Sequence, residues 1–372
     1  MKRLKSWLQN LLLILAGVLV GLLIVEGFAV ATGVAVPKTL VFMHDFHHGF
    51  LEPDAQLGFK AKPNNLRSMH NFWEEGGGAN VAINTDKYGF RNRNKDYAES
   101  DIYFLGDSFT WGLFLEQEKT FPSLVEAGLE QSVINLGIPG YGIEQYEILF
   151  RNWVIKYQPK MAILSLYSND FKNLNSSEEL KNFYELSGVN KYESLAWYKK
   201  TFLYQLIGFY KETRNKSNNQ SDGKMSEKGF FFYNPERLGL EGYYMGGIGV
   251  SSDYLTSTAK TQVESAILRL IEIANSTNTQ LFIFLIPTKE SANIKEYIKL
   301  FPSGIDYLDI EHNAYQQLCQ LAKSKNTVCV DLTEAFRHHS ENEKLYFDID
   351  SHWNVAGHKL AAQLIMETLV KE

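Results

Sequence analysis

The sequence predicts an α/β protein. Its main domain reads as a three-layer α/β/α sandwich around a five-stranded parallel sheet of flavodoxin-like order, preceded by an N-terminal transmembrane helix. Three observations predict this. From about residue 100, short apolar runs alternate with amphipathic segments. The runs are apolar throughout rather than at every second residue, as in strands buried on both faces of a parallel sheet. The first 36 residues are different in kind, with basic residues followed by a long uncharged apolar stretch.

Lys2, Arg3 and Lys5 precede the apolar run Leu11 to Val25. At 1.5 Å per residue that run spans about 22 Å, short of the ~30 Å hydrocarbon core of a bilayer. Trp7 and Leu8 at one end and Gly27 to Val30 at the other complete a span over residues 7–30, with Glu26 near the outer interface. Positive charge before the span predicts a cytoplasmic N-terminus and an extracytoplasmic main domain. A cleaved signal peptide is the competing expectation, because Ala29-Val30-Ala31 resembles a cleavage site. The length of the apolar stretch favours the anchor.

Residues 37–98 form a polar, aromatic lead-in with a Gly76-Gly77-Gly78 run. Alternation at Val81–Asn84 and Tyr88–Arg91 predicts short strands joined by a turn at Asp86-Lys87. The expectation is a small β-rich appendage between the membrane and the main domain, residues 99–372. In that domain, strands are expected at 102–105, 133–136, 162–167, 281–286 and 328–332. Helices are expected at 121–131, 143–157, 261–274, 312–323 and 356–370. Residues 171–258 break the alternation. This insertion leaves the sheet just after Asn169-Asp170 and is expected to cap the site, its aromatics at 230–244 either forming the cap's core or stacking on sugar rings.

The formal charge of −6 and the absence of a basic block beyond the first five residues argue against nucleic-acid binding. Cys319 and Cys329 fall in an expected helix and an expected strand, and two cysteines are no disulfide framework. They are expected as buried free thiols, although an oxidising compartment would permit a bridge. His44, His47 and His48, like His338-His339, lack Cys or carboxylate partners at zinc-site spacing. No metal or organic cofactor is expected.

The chemistry is concentrated in three distant segments. The first expected strand stops at Gly106-Asp107-Ser108, and Asp350-Ser351-His352 lies near the C-terminus. A serine hydroxyl is a weak nucleophile until an adjacent base takes its proton. His352 is placed to be that base. Asp350 would accept from the other ring nitrogen and fix the tautomer; Asp348 is the alternative orienter. Ser108, Gly137 and Asn169 each fall just past an expected strand end, where sites of open parallel sheets collect.

Serine, glycine, asparagine and histidine in this order resemble the four blocks of the SGNH/GDSL hydrolase family, over roughly residues 100–172 and 280–370. The resemblance implies the SGNH hydrolase fold, with Ser108, His352 and Asp350 as catalytic triad. It implies an oxyanion hole of the Ser108 N–H, the Gly137 N–H and the Asn169 side-chain amide. Gly137 would let the backbone approach the substrate. The chain departs from the family pattern twice. Asp350-x-His352 replaces Asp-x-x-His, a spacing that resembles the alginate O-acetyltransferase branch. Tyr167 replaces the glycine of Gly-x-Asn-Asp, where its bulk would narrow the pocket or move Asn169. Trp111 and Trp353 either wall the acyl pocket or pack, and His358 caps or packs.

Three functions stay open. One is a membrane-anchored extracytoplasmic serine esterase acting on acetyl or other acyl esters of envelope or secreted glycans. The second is a polysaccharide O-acetyltransferase with the same triad. The third is an inactive scaffold that binds glycan or protein, for which Tyr167 is the best argument.

Overall fold

The computed structural model describes residues 2–32, 49–70, 80–93, 95–171, 201, 203–204, 258–300, 305–347 and 350–372. Nearly all of the insertion expected to cap the site lies outside the described residues, as do His44, His47, His48 and Asp348. Two compact units divide the chain: one comprises 1–49 and 184–225, the other 50–183 and 226–372.

In the first unit, helix α1 runs from Lys2 to Thr32. Its segment Gln9–Phe28 is long and apolar enough to cross a membrane and is unburied in the protein.

The second unit opens with two antiparallel pairs, β1 (Leu51–Asp54) with β2 (Gly58–Ala61) and β3 (Leu66–His70) with β4 (Asn80–Asn84). A five-stranded sheet follows, all parallel: β5 (Ile102–Leu105), β6 (Val133–Asn135), β7 (Met161–Tyr167), β8 (Gln280–Ile286) and β9 (Val328–Asp331). The spatial order is β6-β5-β7-β8-β9, which is the 2-1-3-4-5 order of flavodoxin-like sheets. Strands β5 and β6 are buried along their whole length, as strands covered on both faces must be. The order reverses at β5. The crevice outside the carboxyl ends of β6, β5 and β7 is therefore where side chains can converge on a ligand.

The lead-in departs from expectation in two ways. Strand β4 (Asn80–Asn84) pairs antiparallel with β3 (Leu66–His70), not with Tyr88–Arg91. Asp86 Oδ1 instead accepts from the Tyr88 and Phe90 N–H groups at 2.8 and 3.0 Å. A carboxylate that captures two successive free amides closes a turn and leaves none for a strand ladder. The lead-in from Phe50 onward also belongs to the same compact unit as the sheet. The fully buried Ile83, Phe59 and Arg91 show how deeply it is built in.

The cysteines are not free. Cys319, on the helix Ile305–Lys323, and Cys329, in β9, form a disulfide with Cα atoms 5.1 Å apart. That helix packs back on β9 after a short turn, so two residues ten apart in sequence face each other. Spacing alone did not carry that information.

Candidate active site

Gly106 turns the chain out of β5. A Cβ there would lie 2.1 Å from Thr110 Oγ1 and 3.1 Å from the Ser165 carbonyl, so the turn has no room for a side chain. Asp107 then caps the short helix Ser108–Trp111, its Oδ1 accepting the Phe109 N–H at 2.9 Å. Ser108 therefore opens the first helical turn at the sheet's carboxyl edge, where N–H groups have no helical acceptor. It is 9% exposed.

The other half comes from the C-terminus. Asn354 caps helix Val355–Leu369 through its side chain, and the preceding Trp353 bridges antiparallel to Tyr346. Between them, residue 352 is turned toward β5. His352 Nε2 lies 2.7 Å from Ser108 Oγ across a separation of 244 residues. His352 Nδ1 is bonded to Asp350 Oδ1, and the same oxygen accepts the His352 N–H at 2.7 Å. Phe109 flanks the imidazole at 4.9 Å between ring centres. With Asp350 ionised, Nδ1 carries the proton and Nε2 is the acceptor for the serine hydroxyl.

Electrostatics favour that state. Burial opposes charge on His352, but the Asp350 charge and hydrogen bond, with Asp107 beyond, outweigh it and raise the imidazole above its ordinary 6.5. Burial likewise opposes ionisation of Asp350. His352, its backbone N–H and Lys289 overcome it and hold the carboxyl below its ordinary value. Burial raises Asp107, against the Phe109 amide, His352 and the Asn169 side chain.

The expected oxyanion donors are placed less simply. The Gly137 N–H donates to Asn135 Oδ1 at 2.8 Å. A Cβ on Gly137 would lie 2.6 Å from the Trp111 nitrogen, so the glycine lets the helix Ser108–Trp111 approach closely. Asn169 is exposed, on the turn after β7. Its side chain favours the charged form of Asp107. Tyr167 is 6% exposed and packs tilted against Phe109 at 4.6 Å between ring centres. Trp111 and Trp353 pack: both are fully buried, and Trp353 stacks on Phe336 at 4.7 Å. His358 is buried, its Nδ1 accepting the Phe121 N–H at 3.1 Å, and burial pushes its pKa down to about 3. Among the described residues, no three His, Cys, Asp or Glu side chains gather at metal-ligating distance.

Two groups essential to this geometry carried no signal of their own. Arg91 is 1% exposed and donates to the Trp111, Gly112 and Leu115 carbonyls at 2.9, 2.7 and 2.7 Å. It thereby closes the C-terminal end of the nucleophile helix. Asn92 exchanges bonds with Asn135 (its Oδ1 accepting from Asn135 N–H at 2.8 Å, its Nδ2 donating to Asn135 O at 3.1 Å). Asn135 Nδ2 then reaches the Thr110 carbonyl at 2.7 Å. Both clamp residues come from the lead-in.

Residues 252–372 match a family model described as the SGNH hydrolase-like domain of the acetyltransferase AlgX. The last third of the chain carries the SGNH hydrolase-like signature. The match contains Asp350 and His352 and stops short of Ser108, which joins them by geometry alone. It supports an ester-acting enzyme, acyltransferases included. None of the curated proteins compared matches the chain.

Solved structures with a similar arrangement include a member of the lipolytic G-D-S-L family from Veillonella parvula, 14% identical with a TM-score of 0.40, covering 73% of this chain and 98% of that one. A GDSL-like lipase from Bacteroides thetaiotaomicron is 13% identical with a TM-score of 0.39, covering 75% and 92%. An acetylxylan esterase from Geobacillus stearothermophilus is 14% identical with a TM-score of 0.39, covering 72% and 93%. The sheet order, and not these scores, fixes the fold.

Proposed function

We propose that this chain is a membrane-anchored, extracytoplasmic serine esterase acting on acetyl esters of envelope or secreted glycans. The observation that carries the reading is the 2.7 Å contact between Ser108 Oγ and His352 Nε2, with Asp350 on the opposite ring nitrogen. Ser108 Oγ attacks the ester carbonyl carbon while its proton passes to His352 Nε2. The resulting imidazolium is stabilised by Asp350. As the tetrahedral intermediate collapses, the departing alkoxide takes that proton, and the acyl group stays on Ser108. A water then attacks by the same route in reverse.

The developing oxyanion needs fixed donors. The Ser108 N–H, at the start of its helix, is the first. The Asn169 amide is the second, and it contributes by turning from Asp107 to the substrate. Gly137 contributes if its N–H is shared between Asn135 Oδ1 and the oxyanion.

The Asp350-x-His352 spacing and the acetyltransferase family model favour a second reading, in which a sugar hydroxyl replaces water as acceptor. Tyr167, the best argument for an inactive scaffold, packs into the core beside Phe109.

The test uses the full chain in detergent with a chromogenic acetyl ester and a fluorophosphonate label. Both signals should vanish in Ser108→Ala and His352→Ala, and activity surviving both substitutions sinks the triad. The acid limb of kcat/KM should lie above 6.5, because the base works only when neutral and its pKa is raised. Adding an oligosaccharide acceptor separates the two readings: acetylated glycan supports transfer, while unchanged release of acetate supports hydrolysis.

A further inference from the structure

Asp350 and His352 are carried by a loop, not by a strand or helix. Its ends are tied by the Tyr346–Trp353 bridge and by the Phe347 N–H, which donates to the His352 carbonyl at 3.0 Å. Irregular segments at a site open more easily than the core elements beside them. A proton-transfer pair tolerates little displacement, with ~1 Å of misplacement costing roughly a hundredfold. Something beyond the loop has to hold it.

Lys289 sits directly behind it. It is the first residue of the helix Lys289–Ala292, which follows β8 at the sheet's carboxyl edge. Thr288 caps that helix. Glu311 fixes the cap, its Oε1 accepting from Thr288 Oγ1 at 3.2 Å and Ser291 Oγ at 2.8 Å. On this rigid base the Lys289 side chain is 6% exposed, and its Nζ donates to the Phe347 carbonyl at 2.7 Å. An ammonium so deeply buried is costly to desolvate, so methionine would fill the space at lower cost. The charge has a recipient, because Lys289 favours the ionised form of Asp350.

We infer that Lys289 is a positioning residue for the base: its ammonium pins the Phe347 carbonyl to the end of β8 and sets a positive charge behind Asp350. Asp350 is thereby held, ionised, against His352 Nδ1. Lys289 touches neither substrate nor the reacting atoms, and its role rests on the triad reading above.

The test compares the full chain with Lys289→Met, Lys289→Gln and Lys289→Arg by two readouts. The first is the rate of fluorophosphonate labelling at Ser108. Lys289→Met should slow it by roughly 10–100-fold. Lys289→Arg keeps charge and donor and should recover most of the rate. The second is the downfield proton resonance of a histidine Nδ1–H bonded to a carboxylate. It should be present in the parent, broadened in Lys289→Met and restored in Lys289→Arg.

Wild-type labelling and an intact resonance in Lys289→Met would overturn the inference, as would equal impairment of the Met and Arg variants. If Lys289→Met does not fold, Lys289→Gln retains a donor without the charge. An intermediate loss there supports the inference, and no loss in either readout overturns it. A parent that is not labelled at Ser108 defeats the triad reading instead. The resonance still decides whether Lys289 holds the loop.

Discussion

Ser108 is fixed from the N-terminal side through backbone, whereas His352 is fixed from the C-terminal side through side chains. Around the nucleophile, one guanidinium takes three carbonyls and one pair of asparagines ties the end of β6 to the same turn. Around the base, one carboxylate, one phenyl ring and one ammonium do the positioning. The two halves should therefore fail differently. Damage to the nucleophile side reaches function through the fold. Damage to the base side can remove function and leave the fold standing.

Asp350→Asn gives the sharpest separation and the largest effect. The amide keeps the shape but loses the charge that stabilises imidazolium and selects the tautomer. Activity should fall by roughly 10³–10⁴-fold, with little change in Tm. A loss of Tm comparable to a core mutation would place Asp350 in the fold and break the comparison.

Arg91→Met tests the other half. The substitution fills the volume but strands three buried carbonyls, each costing on the order of 1 kcal/mol or more. The expected result is a loss of about 3 kcal/mol or more in denaturant unfolding, with activity lost in proportion to the unfolded fraction. Burial already pushes this guanidinium down to about 9, Glu118 opposing, so it remains a cation at neutral pH. Unchanged stability in Arg91→Met would mean the lead-in does not hold the nucleophile helix.

Removing the Cys319–Cys329 bridge should touch neither half. A loop of this length gives about 2–3 kcal/mol by chain entropy. The double serine variant should lose roughly that, with Ser108 labelling per folded molecule unchanged. Labelling that falls more than the folded fraction would show that β9 and its helix also set the site.

These contrasts track what was legible in the sequence. The strands were readable because a parallel strand is apolar at every position: Ile102–Leu105 stands as expected, and the other four shift by no more than one residue at either end. Ser108, His352 and Asp350 could be singled out because serine-nucleophile chemistry requires those side chains at turns, and the structure brings the three into contact. The supports were not. Arg91 and Asn92 look like any polar pair in a loop, since their partners are backbone atoms some 20–43 residues away. Lys289 reads as a solvated lysine until its ammonium is seen on the Phe347 carbonyl. The helix Thr333–Ser340 was missed because it buries only Thr333 and Phe336, too few for a period. For Gly137 the sequence showed the position but not that the backbone of the Ser108 helix also packs against it.

A last contrast sharpens the comparison in pH. Behind the base side, Glu290 is fully buried, and among the described residues its carboxylate oxygens have no partner beyond the residue's own backbone N–H. Burial, with Glu311 adding repulsion, pushes its pKa from 4.5 up to about 8. Burial pushes Glu311 up to about 7 despite bonds from Ser291 and Thr288. A carboxyl that holds its proton more tightly folded than unfolded contributes stability that is full below 4.5 and lost as pH rises toward 8. The nucleophile side has raised carboxyls of its own, Asp107 and Asp170, both pushed up by burial, while Arg91 stays charged and His358, at about 3, stays neutral across the range. Stability should therefore decline between pH 5 and 9 by up to ~1.4 kcal/mol per pH unit for each such proton. Glu290→Gln cannot ionise, so its Tm should fall less steeply over that range and exceed the parent's at the alkaline end. Parallel curves for parent and variant would mean that Glu290 titrates alike folded and unfolded.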